Sequence, residues 1–186
     1  MRKLMLFAVC AMFAAATQAA QVGWSLMGAT SYANDAYQFF IIGQNGVTDI
    51  ATVTALLDAG SSTASYAFGS GTIAANGSAT VAATASGKSL DAGTYTGFYV
   101  IFDSASPASG SANYAVVSGA TGLTKTIAAT TATAAFAAGN ASSTLSNQNN
   151  WKSFGPASST DPTPEPTSGL LLLVGAGLLG LRRKRA

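Results

Sequence analysis

The residues that could do chemistry in this sequence are mostly carboxylates. It contains no histidine and a single cysteine, Cys10. Histidine-based triads, thiol nucleophiles and Cys/His metal sites have no residues to draw on. What remains is Asp35, Asp49, Asp58, Asp91, Asp103, Asp161 and Glu165, among many serines and threonines. Two carboxylates across a cleft could serve glycoside hydrolysis, and loop carboxylates could gather a calcium ion. Their spacing favours neither. Asp49 and Asp58 stand nine apart on one expected helix, about half a turn out of phase, so they share no face. Asp35, Asp91 and Asp103 fall near expected turns, where a solvated cap is the ordinary role. We therefore expect no enzyme, no cofactor and no metal.

Other patterns carry less. Gly175 to Gly180 spells GxGxxG, but inside an apolar tail with no strand before it, so no nucleotide loop is expected. Threonines at spacing two occur at Thr52/Thr54, Thr94/Thr96, Thr124/Thr126 and Thr131/Thr133. Flat rows of such pairs can match an ice lattice, but these intervals are irregular and β-propensity accounts for them. Trp24, Trp151 and the tyrosines would mark a carbohydrate- or surface-binding module if their rings lay exposed.

The charges sit at the ends. Of 186 residues only 9% are charged, and the net +2 comes from Arg2, Lys3, Arg182, Arg183, Lys184 and Arg185. Between them, Lys88, Lys125 and Lys152 face six aspartates and Glu165, a surplus of four negative charges. Phosphate backbones need clustered cations, so nucleic acid is not an expected partner.

Residues 1–20 have the order of a secretory signal peptide: the cationic Arg2-Lys3, an apolar run from Leu4 to Ala16, and small residues around Thr17 to Ala20. A cut after Ala19 places Thr17 at the −3 position, whereas a cut after Ala20 places the bulkier Gln18 there. Signal peptidase and the secretion machinery are the implied partners. Cys10 lies within the apolar run, too early for a lipoprotein site, and would leave with the signal.

The other end has three parts in order: Pro164-Glu165-Pro166, an uncharged run of 13 residues from Gly169 to Leu181, and Arg182-Arg183-Lys184-Arg185. As a helix the run would reach about 20 Å, against about 30 Å of hydrocarbon. Seven leucines at roughly −0.5 kcal/mol each make a weak insertion drive. The terminal cations would hold the C-terminus in the cytoplasm and the domain outside.

This arrangement resembles the PEP-CTERM sorting signal of Gram-negative bacteria, over Pro164 to Arg185. The resemblance implies an exosortase-type processing enzyme as partner, with Pro164, Glu165 and Pro166 as recognition residues and Arg182, Arg183, Lys184 and Arg185 setting topology. It implies an inner-membrane intermediate, held through a transient transmembrane helix, and delivery to the outer envelope or the extracellular matrix.

Between the ends lies one expected domain, residues 21–155, followed by a Ser/Thr/Pro linker at 156–163 and the sorting signal at 164–186. Alternation places Tyr37, Phe39 and Ile41 on one face of a strand and Phe40 and Ile42 on the other. In the strongest strand, Tyr95, Tyr99 and Ile101 oppose Phe98, Val100 and Phe102. Both strands are expected to be central and buried on both sides. Ala112 to Val117 is a third strand, with Tyr114 and Val116 on one side. Trp24 to Leu26 and Leu123 to Ala128 are shorter candidates. Asn76-Gly77 predicts a hairpin between Ser65–Thr72 and Ser78–Thr84. Ile50, Val53 and Leu57 predict one helix, with Thr48 as N-cap and Gly60 at its end. Residues 140–150 are expected to be loop. The fold class is mostly β, an antiparallel β-sandwich with one short helix. The function expected is that of an exported, non-enzymatic envelope or matrix protein, with extracellular polysaccharide as a further partner.

Overall fold

The computed structural model describes residues 19–156. Residues 1–18 of the expected 1–20 leader, the expected linker beyond Pro156 and the expected sorting signal at 164–186, with its transmembrane run, lie outside the described residues. Among the described residues no helix is long and apolar enough to cross a membrane.

Among the described residues, ten strands form two sheets. In the first, β1 (Ala20–Leu26) is central. Along one of its edges lie β4 (Ala79–Val81) and β5 (Ser89–Leu90), both antiparallel to it. The other edge carries β9 (Thr133–Ala138), which is parallel. In the second sheet, β6 (Gly93–Phe102) is central. One edge of β6 pairs with β2 (Ala36–Ile41), and β3 (Gly69–Thr72) lies outside β2. The other edge is shared by β7 (Asn113–Val117) and β8 (Thr124–Ile127), with β10 (Trp151–Ser153) outside β7.

The mostly-β class holds, but the purely antiparallel expectation does not. β8 belongs to the second sheet, and the chain then crosses to the first and enters β9 beside the start of β1. The two strands must then run the same way. A parallel pair needs a long connection, and here most of the domain supplies it.

Both faces of the second sheet are buried, for the reason the alternation gives. Tyr37, Phe39, Ile41, Tyr99 and Ile101 meet Val22, Trp24, Leu26 and Phe136 of the first sheet. Phe40, Phe98, Val100, Phe102 and Tyr114 instead pack under α1 (Ile50–Asp58) through Val53 and Leu57. Phe40 and Phe98 stack at 5.1 Å between ring centroids.

The cap of α1 is Asp49 rather than Thr48. Asp49 Oδ1 accepts the Thr52 amide at 2.7 Å and the Thr52 hydroxyl at 2.8 Å. Thr48 supports from one step back, its Oγ1 lying 2.6 Å from that of Thr52. The helix ends where expected: Gly60, at φ +72°, donates to Leu57 O, and Ser61 donates to Leu56 O. This paired closure satisfies the last carbonyls. Two single-turn helices join the one expected, α2 (Ala83–Ser86) and α3 (Ser142–Leu145). The second lies within the 140–150 segment expected to be loop.

The hairpin around Asn76-Gly77 is absent. Its first arm, β3, pairs with β2 in the second sheet, and its second arm, β4, pairs with β1 in the first. The turn is a corner between sheets. Its arms carry little but Gly, Ala, Ser and Thr, so no apolar cross-strand pair holds them together. Phe68, Ile73 and Ala79 are drawn separately into the core between the sheets.

Candidate functional site

The described aspartates are mostly engaged in holding the fold. Asp49 caps α1, and its carboxyl is held below the usual range by the Thr52 amide first and the Thr52 hydroxyl second. Asp58, at the far end of α1, accepts the Tyr114 hydroxyl at 2.6 Å. Burial, then Asp58 itself, pushes that hydroxyl above its ordinary value, so Tyr114 stays a donor. Asp103 accepts both the backbone amide and the side-chain amide of Asn113, each at 2.7 Å. Asp35 and Asp103 are close enough for their charges to interact. The Asp35 carboxyl is raised from its ordinary value by partial burial first and by Asp103 second. Asp91 is exposed in the turn before β6. Among the described residues, no group of three or more His, Cys, Asp or Glu could hold a metal. Asp161 and Glu165 lie outside the described residues.

Two of the four threonine pairs come together. Thr94 and Thr126 bond at 3.0 Å across β6 and β8, and Thr96 and Thr124 at 3.2 Å. The other two pairs stay apart from them. Thr52 and Thr54 lie on α1, and Thr131 accepts the Ala128 amide in a turn. A four-threonine patch is a cross-strand pairing that stabilises the ladder by about 0.2–1 kcal/mol per pair.

The aromatic platform is not where its residue types suggest. Trp24 is only 4% exposed. It stacks on Phe39 at 5.6 Å, and its indole N–H donates to Tyr37 Oη at 3.2 Å. As a sugar-stacking candidate it is therefore ruled out. Trp151 is half-buried and stacked on Tyr32 at 4.8 Å. Both rings are pinned through Leu145 O, which accepts from Trp151 Nε1 at 2.8 Å and from Tyr32 Oη at 3.1 Å.

A concavity lies elsewhere. A cleft of about 590 Å³ opens between α1, β7 and the segment running from α3 into β10. Its polar lining is Thr54, Ser118, Thr144, Asn149, Asn150 and Lys152, over an apolar floor that includes Ile50 and Val116. Asn150 is fixed by donating to Thr144 O at 2.8 Å. Its volume is within the range of small-molecule sites, and its lining offers amides, hydroxyls and one ammonium but no carboxylate. The sequence held no signal for it. The residues come from a helix, a strand and a polar segment that only the fold assembles.

One comparison with known proteins identifies the end of the chain. Residues 162–185 match the PEP-CTERM protein-sorting motif. The C-terminal segment is thus similar to PEP-CTERM sorting signals, and the match includes Pro164, Glu165 and Pro166 and the cations from Arg182 to Arg185. No curated protein and no solved structure matches the chain.

Proposed function

We propose that this chain is an exported, non-enzymatic passenger delivered to the outer envelope or the extracellular matrix through its sorting tail. Residues 1–20 lead it into the secretion machinery. The tail then holds it in the inner membrane, with Arg182 to Arg185 on the cytoplasmic side. An exosortase-type enzyme recognises Pro164-Glu165-Pro166 and frees the domain. The observation that carries this reading is the motif match over 162–185. The passenger half of the reading is supported by Asp49, Asp58 and Asp103, whose carboxylates cap a helix, take a tyrosine and brace a strand end. Comparing a host that has an exosortase-type enzyme with the same host lacking it tests the reading. Loss of the enzyme should leave the full-length chain in the inner membrane. Identical processing in both hosts would refute it.

The cleft beside α1 favours a second reading, a carbohydrate- or surface-binding module. Its amides and hydroxyls suit a polyol. Affinity electrophoresis through dextran or polygalacturonate tests it. Retardation that disappears in Asn149→Ala and Lys152→Ala would favour this role, and unaltered migration in both gels would remove it.

A further inference from the structure

Strand β1 starts at the edge of the expected leader. Ala19 is half-buried and irregular, whereas Ala20 is the first residue of β1 and is 0% exposed. The residues just beyond are fixed from both sides. Ala20 is paired with Leu90 and Gln21 with Ser89 on one edge, and Gln21 with Thr133 on the other. Gln21 N–H donates to Ala132 O and Val22 N–H to Lys88 O, each at 2.9 Å. Moreover, β4, β5 and β9 all pair with β1, so the first sheet is assembled on this strand.

From this geometry we infer that the leader is removed at the Ala19–Ala20 bond, and that the bond is open to the peptidase only until β1 closes its sheet. The inference rests on the reading of residues 1–20 as a signal peptide. Cleavage is hydrolysis: water adds across the amide, leaving a carboxylate on Ala19 and an ammonium on Ala20. A cut one residue later would remove a fully buried member of β1 together with its pairing to Leu90. A cut at Ala19 keeps the strand whole. A peptidase must hold the residues after the bond in an extended, accessible form. In the folded domain Ala20, Gln21 and Val22 are committed to the ladder, so cleavage there requires β1 to open.

Two measurements test this. The first is the N-terminal sequence and intact mass of exported protein. A start at Ala20 is expected. A start at Gln21 would overturn the assignment while leaving the signal reading intact, and a start at Met1 would overturn the signal reading itself. The second compares purified full-length precursor in detergent, either folded beforehand or diluted from denaturant directly onto signal peptidase. The folded precursor should be cut at least about tenfold more slowly. Leu90→Ala, which loosens the partner of Ala20, should recover part of the rate. Equal rates for folded and unfolded precursor, with circular dichroism showing the first to be folded, would refute the timing.

Discussion

Replacing Gly23 with alanine probes the way the first sheet is covered. Gly23 faces outward from β1, an orientation normally open to solvent, yet it is buried. The turn leading into α2 lies across it. A Cβ at this position would stand 2.6 Å from Ala83 N and 2.7 Å from Val81 O. Both are backbone atoms, so no side-chain rotation relieves the contact, and α2 must shift away. Overpacking of this kind costs about 1–3 kcal/mol. The loss of glycine's freedom in the unfolded chain returns roughly 0.4–1 kcal/mol. The net is a destabilisation of about 1–2 kcal/mol, or some 3–10 °C in Tm for a domain of this size. Gly139 is the control. It is exposed, has nothing within 4 Å of a built Cβ and lacks a left-handed φ. Gly139→Ala should leave Tm unchanged or raise it slightly. Thermal unfolding followed by circular dichroism measures both. If Gly23→Ala is as stable as Gly139→Ala, the packing of α2 on β1 described above is wrong.

Two tyrosines should respond differently to loss of the hydroxyl. Tyr114→Phe removes the bond to Asp58 and should cost about 1–2 kcal/mol in urea unfolding. Tyr99 Oη is buried and makes no well-formed hydrogen bond, only a weak contact with the Ser25 backbone, so Tyr99→Phe should be neutral or stabilising in the same assay. The aspartates give pH dependences of opposite sign. The folded pKa of Asp49 is depressed, so its contribution is present above its unfolded value and is lost as pH falls through the folded one. Asp49→Asn should therefore lower Tm at pH 7 and flatten its acid decline. The folded pKa of Asp35 is raised, so its charge opposes folding at neutral pH, and that opposition is relieved as pH falls through the folded value. Asp35→Asn should raise Tm at pH 7 and converge with the parent in acid. Shared pH profiles for all three proteins would refute both assignments.

The parts of this fold that were legible in the sequence are those where one strong pattern acts alone. The period-two alternation in 36–42 and 94–102 named both faces of the second sheet, because burial on two sides leaves few polar interruptions. Helix α1 was legible for the same reason, with an apolar stripe between a carboxylate and a glycine. The cap was off by one residue because Thr48 and Asp49 are both good caps, and only the extended backbone of Asp49 decides between them. The first sheet was mostly illegible. β1 opens with Ala20, which also suits a cleavage site, and Gly23 interrupts its pattern. β9 is largely alanine, which favours helix by propensity and became a strand through its partner β1. The Asn76-Gly77 turn predicted a local pairing that long-range burial overrode. Trp24 shows the limit for sites: residue type suggests a platform, but only packing tells a platform from a core ring. The tail was the opposite case, since a sorting signal is read from its linear order and needs no fold to be seen.

The central claim is that the tail is processed as a sorting signal rather than kept as an anchor. Glu165→Ala in a host with an exosortase-type enzyme tests it most directly, by following the mass and location of the domain over time. Export should continue, since residues 1–20 are unchanged. Release should slow, with the full-length chain accumulating in the inner membrane and the domain depleted from the outer envelope and the medium. Processing and location indistinguishable from the parent chain would contradict the claim and leave residues 164–186 as a simple tail anchor.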